Sequence, residues 1–266
     1  MAGANGRPHW EHHTRRQRLA RFTGLLVTLV VFAWAWQALG VRYDFVLSAP
    51  TEVQDLLVRM YPPDTAYSSE LVGPLIETIN IAVLGTGLSV VLSVPIAYLA
   101  AENTSPTRLT YLFGKLVVTV TRSVSVIIWA LLFVVVFGPG PLAGVVAIGV
   151  RSIGFIGKLL AEAIEEIDPR QPEAIRATGG NPVDVMIYGI VPQVKPAFVG
   201  ITTYRWDINV RSSTVLGFVG AGGIGAELFA VLDFFRWDAA LTILIAILGI
   251  VLLSEGISAV VRQKFR

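Results

Sequence analysis

The sequence predicts an all-α integral membrane protein with six transmembrane helices. Three observations carry this. Of 266 residues, 54% are hydrophobic and 15% charged, with a mean hydropathy of +0.66; ordinary soluble domains carry about 25% charged residues, and so short a soluble chain cannot bury that much apolar surface. Long uncharged runs recur along the chain, each near the roughly 20 residues that cross a hydrocarbon layer. Positive charge also alternates between the connecting segments. The absence of cysteine excludes a disulfide scaffold, a thiol nucleophile and a cysteine metal site.

The spans follow in order. Residues 22–41 lie between Arg21 and Arg42 and carry no charge. Residues 78–101 lie between Glu77 and Glu102. The third span, 116–137, holds only Arg122, and Gly138-Pro139-Gly140-Pro141 then imposes a tight turn. The fourth, 142–157, contains Arg151; the fifth, 196–218, is unusually polar; the sixth, 239–261, carries Glu255 near its end. Between the first two, Val53, Leu56, Leu57 and Met60 form one helical stripe that Tyr61-Pro62-Pro63 stops. Such a helix lies on the outer membrane surface or docks an outside partner.

Positive residues set the orientation. With the tail bearing Arg7, Arg15, Arg16, Arg18 and Arg21 inside, Arg108, Lys115, Lys158, Arg170, Arg176, Lys195, Arg262, Lys264 and Arg266 are inside too, fourteen of the 21 Lys and Arg. Both termini are then cytoplasmic, in a multi-pass protein of the cell membrane. Topology thus accounts for the pI near 9.0, and a nucleic-acid partner loses its support. Residues 1–21 read as a basic tail and 22–266 as a single transmembrane domain. His9, His12 and His13 fit a basic tail better than a metal site. No metal ligand set is expected.

The segment 158–195 reads as helix, break, helix. Pro172 suits an early helical position and Glu173 the positive end of the helix dipole; Gly179-Gly180 closes the helix, Asn181-Pro182 restarts the chain, and Pro192 marks the entry toward the fifth span. Glu173-Ala174, Gly179 six positions after Glu173 and Pro192 nineteen after it resemble the EAA loop of ABC-importer permeases. Ile175 and Gly189 stand where that loop usually has alanine and isoleucine. The run from Tyr204 to Gly225, with Asp207 in place of a usual glutamate, is similar to phosphonate-import permeases. That likeness extends from about Leu75 to the C-terminus.

The resemblance implies a type I ABC-importer permease fold, working as a homodimer. It implies a cytoplasmic ATPase dimer that carries the ATP and Mg, an extracytoplasmic substrate-binding protein, and Glu173, Ala174, Gly179, Asp184 and Pro192 as the coupling surface. No P-loop is present, so this chain is expected to be non-catalytic and to bind no cofactor itself. The implied substrate is phosphonate or a related oxyanion, phosphate or phosphite. Another small solute such as methionine, or an ion-coupled carrier or channel, remains as an alternative.

Charges inside spans are costly, so they point to function. The fifth span holds Arg205, Asp207 and Arg211, with Asn209 between them and Ser212, Ser213 and Thr214 following. Asp207 and Arg211 can pair four apart, with Arg205 and Asn209 on a rotated face. These residues are candidates for the substrate pathway, because guanidinium binds oxyanions as a bidentate fork. Arg122 and Arg151 either extend an anion path or snorkel to headgroups. Gly220, Gly222, Gly223 and Gly225 form an outer loop or gate. They fit G-x-G-x-x-G, but after a membrane helix and without the βα unit of a dinucleotide site. Their amides either meet an entering anion or belong to a tight packed turn.

Overall fold

The computed structural model describes residues 15–264; Arg7, His9, His12, His13 and Arg266 lie outside the described residues. All regular secondary structure among the described residues is helical. The chain divides into two compact units, one ending at Leu56 and one starting at Leu57.

The first unit holds α1 (Arg15–Ala38) and most of α2 (Tyr43–Met60). α1 is exposed along its length, as suits a helix whose apolar residues cover every face. Gly40 turns the chain at φ 57°, and Trp36 Nε1 donates to the Tyr43 hydroxyl at 2.7 Å.

The second unit is a helical bundle. After a 3₁₀ turn at Ala66–Ser69 come α3 (Val72–Ala100), α4 (Arg108–Ser123), α5 (Val126–Phe137) and α6 (Pro141–Glu165). The connecting segment holds α7 (Arg170–Ala177), the single turn α8 (Pro182–Asp184) and a π-helical stretch, Val185–Ile190. It leads into α9 (Val191–Leu216), α10 (Ile224–Asp233) and α11 (Trp237–Lys264).

Residues 116–137 are not one helix. α4 and α5 meet at 92°, with Val124 and Ser125 extended at ψ 136° and 148°. Ser123-Val124-Ser125 explains the break: serine hydroxyls compete with helical hydrogen bonds, valine favours extended backbone, and Ser125 takes the N-cap position of α5. α4 in turn starts earlier than expected, because Thr107 and Thr110 form a capping box. Among the described residues five helices are long and apolar enough to cross a membrane, six if the bent pair counts as one.

Other boundaries shift for a common reason. Hydropathy marks where apolar residues stop, whereas a helix continues while its polar residues find partners. α6 runs on to Glu165, with Lys158 and Glu162 paired four apart at 3.1 Å, and α9 begins at Val191 rather than 196. The expected loop 158–195 is thus shorter at both ends. α10 lies between the fifth and sixth expected spans and corresponds to neither.

α3 lies along α6 more extensively than any other pair of helices, and α9 packs on both. Small residues permit this approach, as is usual between membrane helices. An added Cβ at Gly85 of α3 would fall 2.6 Å from Ile148 Cγ2 of α6. One apolar core holds Ala97, Val118, Leu160 and Val194 near the connecting segment; further along, two cores flank α3, one with Ala82, Val210 and Ile250 and one with Ile81, Ile148 and Leu216. Leu71, Ile224 and Ile243 close the far end.

Candidate functional site

α9 divides its polar residues between two faces. On one, Arg211 donates to Asp207 Oδ2, and Ser254 Oγ of α11 donates to Asp207 Oδ1 at 2.7 Å. The Asp207 side chain is 5% exposed and that of Arg211 47%. A buried carboxylate therefore anchors a guanidinium whose head stays open.

On the other face a chain of hydrogen bonds crosses three helices. Arg205 Nε donates to Ser152 Oγ of α6 at 2.8 Å, and Ser152 Oγ donates to Asn209 Oδ1 at 3.2 Å. Asn209 Nδ2 donates to Thr86 Oγ1 of α3 at 2.9 Å, and Thr86 passes its proton to the Ala82 carbonyl at 2.6 Å. Each hydroxyl accepts one bond and donates one, so the buried amide and hydroxyls are satisfied without water. Arg205 also lies over the Phe155 ring at 5.0 Å. Among the described residues no carboxylate pairs with Arg205, Arg151 or Arg122.

The hydroxyls of Ser212, Ser213 and Thr214 all donate to carbonyls of their own helix, at 2.9, 2.8 and 2.7 Å. Their lone pairs remain, but their protons are committed. Arg151 is half-buried on α6, and Arg122 is exposed at the end of α4.

The glycine loop is tightly packed. Gly220, Gly222 and Gly223 have φ near 80°, a region closed to most side chains. The Gly223 amide donates to Glu77 Oε1 and that of Ile224 to Thr78 Oγ1, each at 2.8 Å, while the Gly220 amide returns to the Gly217 carbonyl at 3.0 Å. These amides already have acceptors, and a carboxylate already sits at the positive end of α10. Gly225 brings the start of α10 onto the Thr214 carbonyl.

Sequence reasoning missed Thr86, Ser152, Ser254 and Glu77, the partners of these groups. One signal was available. Thr86, Ser89 and Ser93 form a buried polar stripe at helical spacing in the apolar α3.

At the far end, burial and the hydrogen bond it donates to Glu227 Oε2, 2.9 Å away, push the Tyr67 hydroxyl up to about 12. The folded chain holds this proton more tightly than an unfolded one, whose tyrosine titrates near 10. Its stabilising contribution is thus complete below pH 10 and is lost as the pH rises through 12. Glu227→Gln should lower the Tyr67 midpoint without returning it to 10, because burial is the larger cause; NMR of carbon-13-labelled tyrosine reads this directly.

In the connecting segment, Glu173, Ala174, Gly179 and Pro192 are exposed and Asp184 is half-buried. Gly179 ends α7 at φ 85°. Asn181 and Asp184 form a reciprocal capping box, Asn181 Oδ1 accepting from the Asp184 amide at 3.0 Å and Asp184 Oδ2 from the Asn181 amide at 2.9 Å. Asn181→Ala should weaken this turn by about 1 kcal/mol, seen as faster amide exchange over residues 182–190. Gly189 lets the π-helical stretch rest on Pro172, whose Cα would be 3.0 Å from a Cβ there. The guanidinium and amide of Arg170 hold the Asp168 carboxyl below its usual range. A cleft of about 510 Å³ beside α7 is lined by Glu165, Glu173, Arg176 and Pro182.

Residues 93–266 match the family of binding-protein-dependent transport system inner membrane components, and the chain belongs to it. It is a permease subunit of a bacterial ABC transporter in the plasma membrane, and ATP hydrolysis resides on a separate subunit. The chain is 38% identical over 237 residues to the phosphite transport system permease protein PtxC of Stutzerimonas stutzeri, covering 89% of this chain and 86% of that one. It is 38% identical over 252 residues to the phosphate-import permease protein PhnE of Mycolicibacterium smegmatis, covering 94% of this chain and 47% of the relative. The chain thus spans about half the length of PhnE. Its fold is similar to a chain of the MetNI methionine ABC transporter in inward-facing conformations, with TM-score 0.66, 22% identity, and 76% of this chain and 99% of that one covered.

Proposed function

We propose that this chain moves phosphonate or a related phosphorus oxyanion, phosphate or phosphite, inward across the membrane. The observation that carries the proposal is the open Arg211 guanidinium, aimed by the buried Asp207 and Ser254. A fixed fork of donors suits a tetrahedral oxyanion, and phosphite and phosphate permeases are among the relatives.

In this reading residues 22–266 form one transmembrane domain of six spans, the bent α4–α5 pair counting as one. Both termini are cytoplasmic, and residues 1–21 form a basic tail. Two copies associate, covering the exposed Arg211 and placing two such groups about one axis. An extracytoplasmic binding protein delivers the anion near the loop of Gly220, Gly222, Gly223 and Gly225. The path then follows α9 past Thr214, Ser213, Ser212, Arg211, Asn209, Asp207 and Arg205. A cytoplasmic ATPase dimer, carrying ATP and Mg, grips Glu173, Ala174, Gly179, Asp184 and Pro192; no cofactor binds to this chain.

The test is reconstitution of the chain with its ATPase and binding protein in proteoliposomes, measuring uptake of phosphite, phosphate and methylphosphonate. ATP-dependent uptake of at least one is expected, with loss in Arg211→Glu. ATP-driven uptake of methionine alone, or uptake driven by a proton gradient without the ATPase, overturns the reading. Unchanged uptake by an assembled Arg211→Glu complex removes this residue from the path.

A further inference from the structure

Three guanidinium groups collect at one level of the bundle. Arg122 on α4, Arg151 on α6 and Arg205 on α9 each lie fourteen residues from one end of their helix, at Arg108, Glu165 and Val191. That places each about 21 Å along its axis. Lys115, in the middle of α4, pairs with Glu165 at 3.9 Å, and α4, α6 and α9 share the core containing Val118, Leu160 and Val194.

Lateral contacts close the group. The Arg205 guanidinium lies over Phe155, one turn beyond Arg151 on α6. Gly154 sits so close to α4 that an added Cβ would be 2.5 Å from Arg122 Cγ. Arg151 thus has Arg122 as one charged neighbour and is itself a charged neighbour of Arg205.

Nothing acidic among the described residues balances them. Asp207, the acid of α9, is turned toward Arg211 and Ser254. Arg205 is only 6% exposed and its one described hydrogen bond uses Nε; Arg151 Nη1 is buried with no hydrogen-bond partner. Three like charges among apolar helices, one of them buried and one with an orphaned donor, call for an anion.

We propose that Arg122, Arg151 and Arg205 form an anion site between α4, α6 and α9, on a face of α9 rotated away from Arg211, that holds a tetrahedral phosphorus oxyanion. Guanidinium donors drawn from three helices suit oxygens spread over a tetrahedron better than a planar carboxylate. Free phosphate or phosphite and the phosphate of a lipid headgroup share this chemistry. The choice of phosphorus rests on the transport reading above; the need for an anion rests on the uncompensated charges.

The test uses the full chain assembled with its ATPase, delipidated in dodecyl maltoside, with radiolabelled inorganic phosphate and phosphatidylglycerol as separate probes. Saturable binding of one or both is expected, at least tenfold weaker in Arg122→Gln and Arg151→Gln and largely kept in Arg151→Lys. Arg122 is exposed, so its variant keeps the test valid should Arg151→Gln misfold. Arginine-dependent binding of phosphatidylglycerol alone assigns the site to lipid headgroups; arginine-dependent binding of phosphate assigns it to the free ion. Absence of binding by both probes, or equal binding by the variants, overturns the proposal. A complex that binds phosphate here but imports none overturns the transport reading and keeps the site. One that imports phosphate while binding ignores Arg122 and Arg151 overturns the site alone.

Discussion

Gly217→Leu should yield no folded permease. A Cβ at Gly217 would fall on the backbone of Ala226 and within 2.6 Å of the Gly225 Cα, and one at Gly225 would press on the Thr214 carbonyl. The obstructing atoms are backbone, so no rotamer change relieves them. Relief requires parting the end of α9 from the start of α10, which also disturbs the Glu77 and Thr78 bonds to that helix start. Overpacking a core usually costs about 1–3 kcal/mol, and this site should exceed that range. The control is Gly249→Leu on α11, where no atom lies within 4 Å. Monodisperse elution and an unchanged unfolding midpoint are expected for Gly249→Leu, and aggregation for Gly217→Leu.

Asp207→Leu should reduce ATP-driven uptake at least a hundredfold. The substitution strips Arg211 of its ion pair and leaves the buried Ser254 hydroxyl without its carboxylate acceptor. Removing one member of a buried pair typically costs about 3–5 kcal/mol; because Arg211 is half exposed, the loss should fall at the low end. Asp207→Asn retains an acceptor for Ser254 but not the charge, so it should fold better than Asp207→Leu and still lose uptake. Combining Asp207→Asn with Arg211→Gln should be less destabilising than the two single changes added together, since contacting residues are not independent. Additive effects on the unfolding midpoint would show that the two side chains do not support each other.

Much of the fold is legible in the sequence because apolar runs and Gly-Pro punctuation report on single segments. α7 and its capping glycine, the restart at Asn181-Pro182 and the stop at Tyr61-Pro62-Pro63 all follow from local chemistry. The elbow between α4 and α5 does not, since hydropathy is blind to a break of two residues inside an apolar run. α10 escaped for a related reason: ten residues are too few to show against neighbouring spans, and its start is fixed by Glu77 and Thr78 of a distant helix. The polar residues of α9 were visible as charges, and the separation of Asp207 and Arg211 from Arg205 and Asn209 follows from helical spacing. Their partners were not visible. Ser152, Thr86 and Ser254 look ordinary in sequence, and only packing brings them within 3.2 Å of α9.

Gln193 sits at the foot of α9, and its side-chain amide clasps two points of the chain, Asp168 and Gly189, that stand on either side of α7. Its Oε1 accepts from the Asp168 amide at 2.9 Å, while Nε2 donates to the Gly189 carbonyl at 2.7 Å. Pro172, buried against Gly189, wedges the same joint. The consequence is mechanical. A short helix fastened this way is held to the foot of the long one it precedes, so in the proposed coupling a push delivered at α7 would pass to α9 as a crank passes motion to its shaft.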